Sequence, residues 1–173
     1  MIYSQYIEGV WIPMALALES IGITRYNGDN LLKNPPKSIM KYTMITGNKF
    51  YSKWNKEELK ASTQKGNENG DLVKVVIISK AGSEGLDFKN IRQMHIIDPW
   101  YNLNRTGQTV GRAIRNQSHC DLPFEERNCQ VFLYASYVDN VETADLYMYR
   151  YSENSAKNIG RVTRILKENA VDC

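Results

Sequence analysis

The stretch that decides the fold runs from Val73 to Arg115. It begins with the apolar run VKVVIIS at 73–79 and continues through KAGSEGLDF at 80–88. A second apolar segment, QMHIIDPW, follows at 93–100, and the stretch ends in QTVGRAIR at 108–115. The first run is short and rich in β-branched residues, which is typical of a strand buried on both faces of a parallel sheet.

A loop with two glycines and a pair of arginines flank these strands. Gly82 and Gly85 follow the first strand, where small residues let the backbone approach a ligand closely. Arg112 and Arg115 are three residues apart, so on a helix they would share one face. Two guanidiniums beside such a strand-to-helix loop favour an anionic ligand such as a triphosphate.

The composition is that of an ordinary globular domain. The chain has 173 residues, 42% hydrophobic and 24% charged, which is enough for one well-cored domain. A net charge of +3 permits contact with nucleic-acid phosphates but does not by itself argue for it. No apolar stretch approaches the length of a membrane span, and the first residues lack a signal-peptide pattern, so we predict no membrane contact.

Cysteines and histidines give no metal signal. The chain has three cysteines, Cys120, Cys129 and Cys173, and two histidines, His95 and His119. Their spacing matches no metal-ligand pattern, so we predict free thiols and no metal site on these residues.

The rest of the chain alternates strands with helices. The sequence predicts strands at 1–6, 23–26, 40–45, 73–79, 93–97 and 129–135, and helices at 9–20, 52–64, 102–115, 141–151 and 154–169. Ser52 is the predicted N-cap of the second helix, and Asn102 or Asn104 that of the third. This alternation predicts a three-layer α/β domain with a mainly parallel sheet and helices on both faces.

The motifs in this frame resemble a known family. SEGLD at 83–87 followed by QxxGRxxR at 108–115 resembles motifs V and VI of superfamily 2 helicases and translocases. The wider string, from AGSEG through IIDPWYN to NQSHCDLP, is similar to transcription-associated NTPases of poxviruses and other large DNA viruses, namely nucleoside triphosphatase I and the early transcription factor small subunit. The resemblance implies a second RecA-like domain over 1–137 and a C-terminal helical extension over 138–173.

The resemblance also implies roles for residues. Arg115 would be the arginine finger, Arg112 its companion and Gln108 the start of the motif. Gly85 and Asp87 would face the nucleotide ribose. One of the arginines could instead form a salt bridge within the domain, and Asp87 could cap a nearby turn.

Nucleic-acid contacts are implied at strand ends. The expected phosphate-binding residues are Ser4, Gln5, Thr46, Gly47, Ser79, Lys80 and Ser83. For Thr46 and Gly47 an ordinary strand-end turn is an equal alternative. Contacts of this kind are largely blind to base identity, which suits a motor that steps along any sequence.

A P-loop and an acidic Mg²⁺-binding motif are both missing from these 173 residues. By resemblance, ATP and Mg²⁺ would be bound mainly by a first RecA-like domain of the same, longer protein, and the present chain alone would be inactive. The implied partners are that domain, a DNA or RNA backbone and, for a viral protein, RNA polymerase. A viral protein would work in the virion and the host cytoplasm; otherwise an intracellular site is expected.

Two other functions fit the same sequence. The domain could be a non-catalytic module whose helices at 141–169 dock on RNA polymerase or another transcription factor, although the intact SEGLD and GRxxR motifs argue against this. It could also belong to a cellular remodelling-type translocase or a restriction-type helicase. NQSH at 116–119 stands where remodellers usually continue Ile-Gly-Gln, which disfavours the cellular translocase.

Overall fold

The computed structural model describes residues 1–36, 38–80 and 86–171. Its strands are β1 (Ile2–Tyr3), β2 (Thr24–Arg25), β3 (Lys41–Ile45), β4 (Val75–Ile78), β5 (Gln93–Ile96) and β6 (Gln130–Leu133). Its helices are α1 (Ile12–Ser20), α2 (Asn55–Thr63), α3 (Leu103–Val110) and α4 (Ala144–Glu168). A π-helical segment, Ile7–Trp11, leads into α1, and a 3-10 turn, Phe124–Glu126, precedes β6.

The six strands form one sheet in the order β2-β3-β4-β1-β5-β6. All five pairings are parallel, which confirms the predicted parallel sheet. The short β1 lies in the middle, where Ile2 is in register with Ile77 on one side and His95 on the other. Because the strands are parallel, all their carboxyl ends lie at one edge of the sheet.

Helices cover both faces of the sheet. On one face, Ile78 of β4 packs in a cluster that includes Ala61 of α2 and Val110 of α3. On the other, Ile77 packs with Trp11 and with residues of α1. Successive residues of a strand point to opposite faces, so β4 contributes to both clusters and must be apolar throughout. The three-layer α/β architecture is therefore confirmed.

A buried ion pair fastens α2 to the edge of the sheet. Arg25 Nε lies 2.8 Å from Glu58 Oε1, and the two side chains are only 4% and 0% exposed. Glu58 Oε2 also accepts the Met44 amide at 3.0 Å. β2 ends at Arg25 and does not extend alongside Met44 of β3. The Glu58 carboxylate therefore accepts the Met44 amide in place of a strand carbonyl. Burial raises the pKa of Glu58, while Arg25 and the Met44 amide lower it.

The start of α2 differs from the prediction. The helix begins at Asn55, with Trp54 in the N-cap position, so Ser52 is not the N-cap. Ser52 is buried; its hydroxyl donates to the Met44 carbonyl and accepts the Thr46 amide at 3.0 Å. Ser52 lies two residues before the N-cap position, and its hydroxyl is bonded to the end of β3 instead of the first turn of α2.

The end of α3 also differs from the prediction. Asn102 is the N-cap, as predicted, and accepts the Asn104 amide at 2.8 Å. The helix, however, ends at Val110 rather than continuing to residue 115. Gly111 stands at the C-cap, and a glycine lowers helix propensity by about 1 kcal/mol relative to alanine. The two site arginines therefore lie in the turns that follow the helix.

The C-terminal segment is one helix where two were predicted. α4 is continuous over 25 residues, and the Thr143 hydroxyl accepts the Leu146 amide at its start. The apolar stripe of α4, which is formed by Ile159, Val162, Ile165 and Leu166, is 54–66% exposed. Among the described residues, no helix combines the length and the apolar character needed to cross a bilayer. The proposed boundary between 1–137 and 138–173 stays a prediction.

The buried ion pair generates a stability prediction. We expect Glu58→Ala to lower the free energy of unfolding by about 3–5 kcal/mol, because it leaves the Arg25 guanidinium buried without a counter-ion. Glu57→Ala, at the exposed neighbouring position, is the matched control and should change it by about 0.5 kcal/mol or less. Denaturant unfolding of both variants tests this. Equal stability of the two variants would show that the ion pair does not fasten α2.

Candidate functional site

The carboxyl edge of the sheet gathers most of the predicted contact residues. Gln5 follows β1, Gly47 follows β3, Lys80 follows β4 and Asp98 follows β5. In open parallel sheets, ligands bind outside this edge. The neighbouring residues Ser4, Thr46 and Ser79 leave the same strands but are buried, at 0%, 1% and 5% exposure.

Asp98 ties together the ends of β1 and β5. The Gln5 amide donates to both of its carboxylate oxygens, each at 3.3 Å, and the Ser4 hydroxyl is a further hydrogen-bond partner. Burial raises the pKa of Asp98, against the opposing effects of these hydrogen bonds and of Arg105. Ser4 also accepts the Tyr6 amide at 3.0 Å. The buried Ser4 therefore holds the ends of β1 and β5 together, while Gln5 is partly accessible to solvent.

Arg105 belongs to this group, although the sequence analysis did not single it out. Its guanidinium lies 4.0 Å from the centre of the Trp100 ring and donates to Gln5 Oε1 at 3.2 Å. The sequence does contain a signal: Arg105 and Gln108 are three residues apart, which places them on one face of α3. Gln108 is exposed on α3.

The turn after β3 has the geometry of an ordinary strand-end turn. The Thr46 hydroxyl donates to the Asn48 carbonyl at 2.8 Å and accepts the Asn48 amide at 2.9 Å. Asn55 Nδ2 donates to the Thr46 carbonyl at 2.6 Å. The Thr46 side chain is thus engaged within the turn, and Gly47 is the member of the predicted pair that is exposed.

The loop after β4 is described in part. The Ser79 amide donates to the Ile45 carbonyl at 3.3 Å, and Lys80 is exposed. The predicted contact residues Ser83 and Gly85, together with Gly82, lie outside the described residues.

Asp87 brings the two site arginines together. Its carboxylate lies 2.7 Å from Arg115 Nη1 and 4.0 Å from Arg112 Nη1. The Phe88 amide also donates to the Arg112 carbonyl at 3.2 Å, which fixes the two segments side by side. Arg115 therefore does form a salt bridge within the domain, with another predicted site residue as its partner. The side chains of Asp87, Arg115 and Arg112 are 56%, 49% and 22% exposed, so an anion can reach them.

The described part of the chain holds no cluster of metal-binding side chains. Among residues 1–36, 38–80 and 86–171, no three or more His, Cys, Asp or Glu side chains cluster as a metal site would require. The exposed guanidiniums fit the phosphates of a nucleotide, whereas the residues here do not fit Mg²⁺. That Mg²⁺ ligands lie on another domain stays a prediction.

Comparisons with known proteins identify the family of this chain. The model of the helicase conserved C-terminal domain matches residues 2–117. A putative helicase of Invertebrate iridescent virus 3 is 28% identical over 181 residues, covering 99% of this chain and 18% of that protein. A termination factor NPH-I homologue of African swine fever virus is 41% identical over 96 residues, covering 56% of this chain and 14% of that protein.

A third relative is a putative ATP-dependent RNA helicase of Acanthamoeba polyphaga mimivirus. It is 35% identical over 109 residues, which cover 61% of this chain and 24% of that protein. This chain thus spans less than a quarter of the length of each of these three relatives.

The raised pKa of Asp98 predicts how the free energy of unfolding depends on pH. Because its pKa is raised on folding, the stability that it contributes is fully present below the unfolded pKa and is lost as the pH rises through the folded pKa. The asparagine amide in Asp98→Asn cannot ionise, so this variant does not lose that stability as the pH rises. The stability of the variant relative to wild type should therefore increase between about pH 3 and pH 7.

Urea unfolding at a series of pH values checks this expectation. Asp71→Asn, at an exposed position in the loop before β4, is the matched control. A relative stability of Asp98→Asn that does not change with pH would contradict the raised pKa.

Proposed function

We propose that this chain, which belongs to the helicase conserved C-terminal domain family, is the second motor domain of a DNA-dependent ATPase of superfamily 2 that acts in viral transcription. The observation that carries the proposal is the meeting of Arg112, Arg115 and Asp87 at the GRxxR motif, with both guanidiniums open to an incoming anion. The viral relatives, one of them named a termination factor, support a role in transcription.

The chemistry proposed for the arginines is charge neutralisation. ATP would be bound between this domain and a first RecA-like domain, which would supply the P-loop and the Mg²⁺ ligands. Arg115 and Arg112 would approach the γ-phosphate and stabilise the charge that develops on it during transfer to water. The planar fork of arginine matches phosphate oxygens in a way that a lysine cannot. Asp87, proposed to reach the ribose, would meanwhile orient Arg115.

The nucleic-acid contacts are proposed for the part-buried Gln5 and for the exposed Gly47 and Lys80 at the carboxyl edge. Gln5, Gly47 and Lys80 offer an amide side chain, an exposed backbone turn and an ammonium group. Buried Ser4, Thr46 and Ser79 would act by holding these strand ends in place, while Ser83 remains a proposed direct contact. Such groups recognise phosphates rather than bases, which suits stepping along DNA or RNA of any sequence.

A second proposed function is docking onto RNA polymerase or another transcription factor. The observation that favours it is the exposed apolar stripe of α4, which includes Ile159 and Val162. Large apolar side chains left in water along one helix face are typical of a surface that another protein covers. Docking and motor action are compatible. A variant of the stripe would impair recruitment, whereas a variant of Arg115 would impair turnover.

The arginine-finger assignment predicts a kinetic effect in the longer protein. Arg115→Ala should lower ATP turnover by about 10³-fold or more, because a finger acts mainly on the transition state. Nucleotide affinity and melting temperature should change little, since Arg115 is half exposed. Arg164→Ala, which removes an exposed arginine of α4, is the control. Near-normal turnover by an Arg115→Ala enzyme with a lowered melting temperature would make Arg115 a structural residue.

The phosphate contacts predict salt-dependent binding by this chain itself. The affinity for a labelled DNA 20-mer should fall linearly with salt on a double logarithmic scale, because binding releases counter-ions. Lys80→Ala should weaken binding to all sequences and reduce that slope by about one. Lys65→Ala, an exposed lysine after α2, is the control. Fluorescence anisotropy measures both; salt-independent binding would contradict phosphate recognition.

A further inference from the structure

The segment that follows the β3 turn is not explained by the site above. It reads KFYSKWNK at 49–56, with three lysines and three aromatic residues in eight positions and no carboxylate. Phe50 is 77% exposed and Trp54 is 47% exposed. Its lysines, Lys49, Lys53 and Lys56, are exposed as well. Aromatic and basic side chains thus share one stretch of surface.

Hydrogen bonds within the turn hold the backbone that carries these rings. Asn48 Oδ1 accepts the Phe50 amide at 2.9 Å, and the Asn48 carbonyl accepts the Ser52 amide at 3.0 Å. Ser52, itself buried, accepts the Thr46 amide, and Asn55 donates to the Thr46 carbonyl. The chain on both sides of Phe50 is therefore anchored to the end of β3. Phe50 is presented to solvent by a fixed turn.

The neighbouring ring fixes the orientation of Phe50. Tyr51 meets it edge to face, with ring centres 5.0 Å apart and planes at 88°. The Tyr51 carbonyl accepts Arg25 Nη2 at 2.9 Å, and Arg25 is held by the buried pair with Glu58. Phe50 is thereby supported from a rigid part of the domain. A pre-oriented ring loses little conformational entropy when a ligand stacks on it.

We propose that Phe50 and Trp54 form a stacking platform for the bases of single-stranded nucleic acid, with Lys49, Lys53 and Lys56 contacting its phosphates. The platform begins three residues beyond Gly47, at the carboxyl edge of β3, so it deepens the proposed function and rests on its nucleic-acid contact. Exposed aromatic rings in a basic groove are how proteins bind single strands without sequence preference.

Two physical reasons favour a single strand over other ligands. In a duplex the bases are stacked on each other. Its phosphates can therefore contact the lysines, but its bases cannot stack on the aromatic rings. A protein partner is disfavoured, because lysine is depleted in protein interfaces, whereas this segment carries three lysines around its two rings. Base stacking is also tolerant of sequence, since every base has a π face.

The test measures the binding of the 173-residue chain to labelled dT20 and to a duplex of the same length by fluorescence anisotropy. Phe50→Ala and Trp54→Ala should each lower the affinity for dT20 by about fivefold or more, the loss expected for one stacked base. Affinity for the duplex should change less than about twofold, since its phosphates are still met by the lysines. Trp54→Phe, which keeps an aromatic ring, should restore most of the affinity for dT20.

Phe124→Ala is the matched control. Phe124 is 80% exposed, but it precedes β6, the outermost strand on the side of the sheet away from β2 and β3. It should bind dT20 like wild type. Lys53→Ala should weaken binding to both nucleic acids, since it removes a phosphate contact. Melting curves of all variants test whether the chain remains folded.

The outcomes separate this proposal from the one on which it rests. Salt-dependent binding of dT20 that Phe50→Ala and Trp54→Ala leave unchanged would overturn the stacking platform and leave the phosphate contacts standing. Equal losses for dT20 and the duplex would also overturn it. Failure of the wild-type chain to bind either nucleic acid would overturn the nucleic-acid contact itself.

Discussion

The parallel pairing of β1 with both β4 and β5 is the constraint on which the site depends. β1 has only two residues, yet it occupies the centre of the sheet. Parallel pairing points its carboxyl end the same way as those of its neighbours, so Gln5, Gly47, Lys80 and Asp98 leave the sheet at one edge. An antiparallel strand would carry its loop to the opposite edge. The direction of the strands therefore assembles groups that are up to 93 residues apart, as in the contact between Gln5 and Asp98.

Two layers of polar residues make up this edge. The lower layer is hydrogen-bonded internally: the buried Ser52 bonds to the end of β3, and the part-buried Asp98 bonds to the chain after β1. The upper layer includes the part-buried Gln5 and the exposed Gly47 and Phe50. Buried polar groups are costly unless they are hydrogen-bonded, so the lower layer is strongly fixed in place. That fixed layer holds the backbone of the upper layer in place, as in the hydrogen bonds from the Gln5 amide to Asp98.

Two arginine–carboxylate pairs, Arg25–Glu58 and Arg115–Asp87, have opposite physical characters. The Arg25–Glu58 pair is buried, so breaking it would leave a charge uncompensated away from water. The Arg115–Asp87 pair is about half exposed and, at a surface, such a pair is worth about 0–1 kcal/mol. An incoming phosphate can therefore displace Asp87 at little cost. The first pair belongs to the framework, and in the proposed function the second would orient Arg115 toward an incoming phosphate.

The sequence by itself determined the parallel sheet and the family, because β-branched runs, the GRxxR spacing and the Asn102 cap are local signals. Only the tertiary structure decided how the site is built. Asp87 and Arg115 are 28 residues apart, and no periodicity predicts their contact. The exposed stripe of α4 is a second example. Residue spacing predicts which side chains share a helix face, but it does not predict whether another element covers that face. Local patterns fix the elements, and long-range packing decides which groups meet.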